Sequence, residues 1–165
     1  MIVVHVTHEA VEKVGGIGAV IGGLMTSQTY QQTVSRTILL GPLLQTDRPV
    51  NRRLGDDGRV IYSSLDAITP PEWRQKFRAI ERTYGTRRVD CNWSSETVEA
   101  EVLLVDVFHV NKDRLNLFKG ELYKKFAVPS ERFENVWEFE QYVRLAEPGF
   151  EALKALDANG GDEQM

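Results

Sequence analysis

Ile2 to Val6, IVVHV, is an apolar run at the head of the chain, and from Ile17 the apolar spacing changes. Ile17, Val20, Ile21, Leu24 and Met25 fall at i, i+3, i+4, i+7 and i+8. The first pattern is that of a strand buried on both faces, the second that of one face of a helix. A further apolar run, SRTILLGPL, ends at Gly41-Pro42 and reads as a second strand. Strand, helix and strand in succession make a βαβ unit, whose parallel strands are joined by a right-handed crossover.

The alternation continues. RVIYSSL is a third strand candidate. TPPEWRQKFRAIERTYG opens with helix punctuation: Thr69 to cap, Pro70 at the first helical position and Glu72 to complete a capping box. Trp73, Phe77, Ile80 and Tyr84 form its apolar stripe, and Gly85 is placed to end it. RRVDCNW and TVEAEVLLVDVF are strand-like. A helix is expected from about Lys112 to Phe126, with Leu115, Phe118, Leu122 and Phe126 on one side. Another should begin near Phe133, carrying Val136, Phe139 and Val143, with Pro148 kinking or breaking it. The expected fold class is therefore α/β: a Rossmann-like open, mostly parallel sheet with helices on both faces. Residues 1–156 are expected to form part of such a domain, incomplete at its carboxyl side, and the polar remainder, residues 157–165, is expected to be disordered.

Bulk properties exclude several function classes. The 165 residues suffice for one domain with a core. A net charge of −4 gives no reason to expect nucleic acid or an anionic membrane as partner. The single cysteine, Cys91, forbids an intrachain disulfide and reads as a structural thiol. No apolar run reaches membrane-spanning length, and MIVVHVTHE lacks signal-peptide features, so a cytoplasmic location is expected. The basic side chains Arg74, Lys76, Arg78, Arg82, Arg87 and Arg88 read as the wet face of an amphipathic helix, and Asp56-Asp57 as solvated turn residues.

In α/β sheets ligands sit at the carboxyl ends of strands, which directs attention to HEAVEKVGGIGAVIGGL, His8 to Leu24. A dinucleotide fingerprint is disfavoured, because Thr7 to Val14 separate the strand from the first glycine and no acidic residue follows the second strand for a ribose. The P-loop pattern is absent. Two readings stay open. In one, Gly15 and Gly16 let a phosphate approach backbone N–H groups at a helix N-terminus, with Lys13 adding a mobile charge. In the other, the stretch is a glycine-rich turn with a solvated lysine.

This stretch resembles the K-x-G-G loop near the N-terminus of glycogen and starch synthases, retaining glucosyltransferases built from two facing Rossmann-like domains (the GT-B fold). ILLGPL, EVLLVDVF and LNLFKGELYKKFAV are similar to further segments of that family, in the same order, and the resemblance spans roughly residues 2–150. The K-G-E-L segment points to the glycogen-synthase branch. The resemblance implies that Lys13, Gly15 and Gly16 bind the donor phosphates. It also implies transfer of glucose, with retention, from UDP-glucose or ADP-glucose to the non-reducing end of an α-1,4-glucan, without a separate cofactor. Glu9 would orient the loop or meet the acceptor. Lys119, Gly120 and Glu121 match a family motif to which no catalytic role is assigned; surface salt bridges or helix packing would account for them. The implied partners are the nucleotide sugar and the glucan, and other copies of the full-length protein.

The family's histidine-containing H-x-H-E-W-like strand and its second domain have no counterpart within these residues, so no catalytic residue is expected in this chain and transfer by it alone is not expected. Among the histidines, His5 should be a packed strand residue, while His8 and His109 stand at strand ends close to where substrate would lie. No metal-ligand spacing is present. A reading of another class is a stand-alone α/β binding or regulatory module that keeps the fold without transfer.

Overall fold

The computed structural model describes residues 1–11, 15–44, 58–94 and 99–157. The strands are β1 (Ile2–Val6), β2 (Arg36–Pro42), β3 (Gly58–Ser63), β4 (Arg88–Ser94) and β5 (Glu99–Val105). The helices are α1 (Gly16–Met25), α2 (Gln28–Thr33), α3 (Pro71–Tyr84), α4 (Lys112–Phe126) and α5 (Trp137–Asp157), with a 3-10 turn at Ser130–Phe133. The class is α/β. The five strands form one mixed sheet in the order β1-β2-β5-β4-β3. β1 and β2 pair in parallel from Ile2 opposite Arg36 to Val6 opposite Leu40, as a βαβ unit requires, whereas β3 and β4 pair antiparallel.

Two compact units divide the chain. The first comprises residues 1–70 and 88–104, the second residues 71–87 and 105–165.

The core of the first unit gathers Ala10, Met25, Leu39, Leu43, Val89 and Leu104, with further strand residues. β2 is buried along nearly its whole length. β1 is not buried on both faces. It lies at the sheet edge, and Ile2, Val4 and Val6 are exposed. An apolar run specifies a strand, but which strands flank it depends on non-local pairing. α1 departs in the same sense: Met25 and Ile21 pack inward, while Ile17, Val20 and Leu24 remain exposed. QTYQQT has no apolar stripe yet forms α2; Ser27 caps it by accepting from the Tyr30 N–H at 3.4 Å.

In the second unit, α3 begins at Pro71, one residue later than the capping pattern places it. It ends at Gly85, whose φ is +70° and whose missing Cβ would lie 2.9 Å from the Asn111 nitrogen. Only glycine meets both demands. Asn111 then caps α4, accepting from the Asp113 and Arg114 N–H groups at 3.1 and 3.3 Å. Phe126, expected on the apolar side of α4, is exposed. The helix expected from Phe133 is a 3-10 turn followed by α5, which starts at Trp137 and runs through Pro148 without a break. Proline in a helix interior forfeits a hydrogen bond and costs roughly 3 kcal/mol. Burial of Leu145, Ala152 and Leu156 on the same helix offsets that cost, and α3 packs against this helix.

Candidate functional site

The loop leaving β1 is held by short-range polar contacts. The Thr7 N–H donates to the Leu40 carbonyl at 2.8 Å, extending the parallel ladder one step past β1. Thr7 Oγ1 accepts from the Glu9 N–H at 3.0 Å. The Glu9 side chain turns inward and is buried, and its Oε2 accepts the Gly18 N–H at 2.7 Å. That N–H lies in the first turn of α1, where backbone donors lack helical partners and the dipole favours negative charge. Gly15, the N-cap, brings no side-chain hydrogen bond, so the Glu9 carboxylate, nine residues before Gly18, takes the capping role.

Glycines permit this arrangement at two places. A Cβ on Gly15 would sit 2.9 Å from Glu9 Oε1, and one on Gly41 would sit 2.5 Å from the Thr7 carbonyl oxygen. Gly16 differs, since a Cβ there would meet nothing within 4 Å. His8 places Nε2 3.6 Å from Glu9 Oε1 with its side chain partly exposed. Glu9, His8, Gly15 and Gly16 are therefore brought together at the carboxyl end of β1. Lys13, like Asp56, Asp57 and the Cys91 side chain, falls outside the described residues. An open cleft of about 280 Å³ lies elsewhere in this unit, lined by Tyr30, Gln31, Arg36, Thr37 and Glu99 at the amino end of β2.

His109 belongs to the second unit and stands on a fixed turn. Asp106, fully buried, accepts from the Phe108 N–H at 2.9 Å and the His109 N–H at 3.3 Å through Oδ1. Its Oδ2 takes Arg87 Nε and His109 Nδ1, both at 2.9 Å. A carboxylate can only accept, so the Nδ1 proton points to Asp106 and Nε2 faces outward. Arg87 Nη2 also lies 3.2 Å from Nδ1, but in that tautomer both atoms carry protons and neither can accept, so the contact is not a hydrogen bond. Burial alone would raise the Asp106 carboxyl, but the bonds from His109, Phe108 and Arg87 outweigh it and hold the group below the ordinary aspartate value.

Sequence reading misses Asp106 and Arg87; the D-x-x-H spacing signals Asp106 alone, and no local pattern ties Arg87 to it. Arg87 is not part of a wet helix face, since it follows α3 and pairs with Asp106; Arg88 is fully buried in β4. His5 is half-buried and shares a 3.0 Å hydrogen bond with the Tyr30 hydroxyl; burial lowers its imidazole below the usual value.

Lys119 is not at the surface. It is buried between Glu134 at 2.9 Å and Glu140 at 3.0 Å, and Arg144 Nε joins Glu140 at 2.9 Å. Glu121 in the same motif is exposed and pairs with Lys124 and Lys125.

No protein-family model matches the chain, and no curated protein matches it. Among the described residues, no helix is long and apolar enough to cross a membrane.

Proposed function

We propose that this chain is the amino-terminal part of a glycogen-synthase-like retaining glucosyltransferase of the two-domain GT-B type. In this reading the loop between β1 and α1 receives the diphosphate of UDP-glucose or ADP-glucose. The observation that carries the reading is the opening of α1. A glycine pair starts the helix at the carboxyl end of a parallel strand, and the first turn already holds a buried carboxylate through a backbone N–H. Glu9 already takes the Gly18 N–H, so a further oxyanion would need the charge of Lys13 to offset that carboxylate, and Gly16 leaves room for its approach. The K-x-G-G resemblance supplies the identity of that anion.

Lys13 would neutralise charge on the leaving diphosphate, and the N–H groups of Gly15 and Gly16 would line its path. Glu9 acts earlier, by fixing the helix start against which the phosphates pack. The sugar and glucan would occupy the space facing a second domain. The test is glucose transfer to an α-1,4-glucan by the full-length protein, with UDP-glucose and ADP-glucose compared and Lys13→Ala alongside. Transfer from one of the two donors, weakened by Lys13→Ala, is expected. Unchanged donor affinity and turnover in Lys13→Ala would remove the phosphate role.

A further inference from the structure

The two edges of the sheet are built differently. β3 ends one side, and it carries Arg59 and a register irregularity between Val60 and Tyr62. Charge and bulges are ordinary means by which an edge strand resists pairing with another chain. β1 ends the other side with neither. IVVHV contains no Lys, Arg, Asp, Glu or Pro, and its register against β2 is regular from Ile2 to Val6. The Thr7 N–H and the Met1 carbonyl bond to the β2 side, so by alternation the N–H and C=O groups of Ile2, Val4 and Val6 point to the open side. The same three residues are 50%, 38% and 55% exposed. We infer that β1 pairs antiparallel with β1 of a second copy of this chain, about a two-fold axis at Val4.

Three observations choose a second copy as the occupant. First, the strand is self-complementary. An axis at Val4 sets Ile2 opposite Val6 and Val4 opposite its own copy, and each such pair exchanges two backbone hydrogen bonds. All three outward-pointing residues are used, and their β-branched side chains meet on one face of the joined sheet. Second, the charge pattern allows self-pairing. Neither β1 nor α1 contains a Lys, Arg, Asp or Glu, so the strands and their crossover helices bring no like charges together. The axis stands perpendicular to the sheet, which leaves both α1 helices on the same side, each with Ile17, Val20 and Leu24 exposed. Third, residues 12–14, 45–57, 95–98 and 158–165, which lie outside the described residues, contain no apolar run of strand length, so the chain has no other strand of its own to offer. A junction of two short strands is smaller than a standard interface, and the dimer is expected to be weak, with Kd about 10 μM. The inference uses neither Lys13 nor a nucleotide, so it stands or falls separately from the donor-loop reading.

The experiment is sedimentation of the 165-residue chain from about 1 to about 200 μM, with a cross-linking arm that reads the register. A monomer–dimer equilibrium is expected. Val4→Lys sets two ammonium groups against each other at the axis and should raise Kd at least about tenfold, with circular dichroism unchanged because the residue is exposed in the monomer. In a Cys91→Ser background, Val4→Cys should form a disulfide dimer under mild oxidation, since a hydrogen-bonded pair holds its Cα atoms roughly 5.5 Å apart. Val6→Cys faces Ile2 of the other copy and should cross-link far less. A chain that stays monomeric over the whole range would overturn the proposal, as would a dimer that Val4→Lys leaves intact or equal cross-linking at positions 4 and 6. A full-length protein that remains monomeric while shielding the Val4 amide from hydrogen exchange would also overturn it, assigning the edge to a strand of that protein.

Discussion

Glu9 links the end of β1 to the first turn of α1 through one side chain. Its buried carboxylate satisfies a donor that Gly15 cannot cap. Truncation to alanine removes that acceptor, so Glu9→Ala should lose about 1–3 kcal/mol in urea unfolding, and Glu9→Gln, which keeps an acceptor oxygen, distinctly less. Gly15 and Gly16 make a sharper comparison. Gly15→Ala forces the Glu9 carboxylate aside and should destabilise, whereas Gly16→Ala enters open space at a helical position where alanine is preferred. Gly16→Ala is therefore expected to keep or raise the thermal midpoint while weakening nucleotide-sugar binding by the full-length protein. A midpoint that falls as far as that of Gly15→Ala would contradict the open-space assignment. Asp106 carries a pH signature. Its carboxyl is depressed in the folded state, so its contribution is fully present above the unfolded value of about 3.9 and is lost as pH falls through the lower folded value. Asp106→Asn should flatten that part of the acid-unfolding curve, measured by circular dichroism between about pH 5 and pH 2.

At the scale of elements, burial of Lys119 joins α4 to α5 and to the turn between them. Removing one member of a buried ionic cluster leaves charge without its partner, so Lys119→Ala should cost about 1–3 kcal/mol by denaturant titration, while Lys124→Ala, at an exposed pair, should leave the midpoint in place. What could be read from the sequence divides along the same line. Local signals were sufficient for β1, β2, α1, α4 and the glycine stop at Gly85, because strand runs, helical spacing and a positive φ are properties of neighbouring residues. Properties set by distant partners were not legible. β1 was expected to be covered on both faces and lies at an edge; Lys119 and Arg88 carry charges that ordinarily mark a surface and are buried. Pro148 reads as a helix breaker, yet α5 continues through it, a balance that only tertiary packing decides. Of the candidate site, His8, Glu9, Gly15, Gly16 and His109 were named from strand-end position, but the Asp106 and Arg87 partners of His109 come from separate segments.

At the scale of the whole molecule, one βαβ unit sets the donor reading through its glycine-opened helix and the pairing of two copies through its open β1 edge. The central claim is that the loop of Lys13, Gly15 and Gly16 serves a nucleotide-glucose donor. Its most direct test is incorporation of labelled glucose into glycogen by the full-length protein, with UDP-glucose or ADP-glucose as donor, for the wild type and Lys13→Ala. The account predicts incorporation from one donor by the wild type, and a fall of at least about tenfold in kcat/KM on loss of the lysine. No incorporation from either donor by the folded full-length protein, or equal kcat/KM in the two proteins, would contradict it.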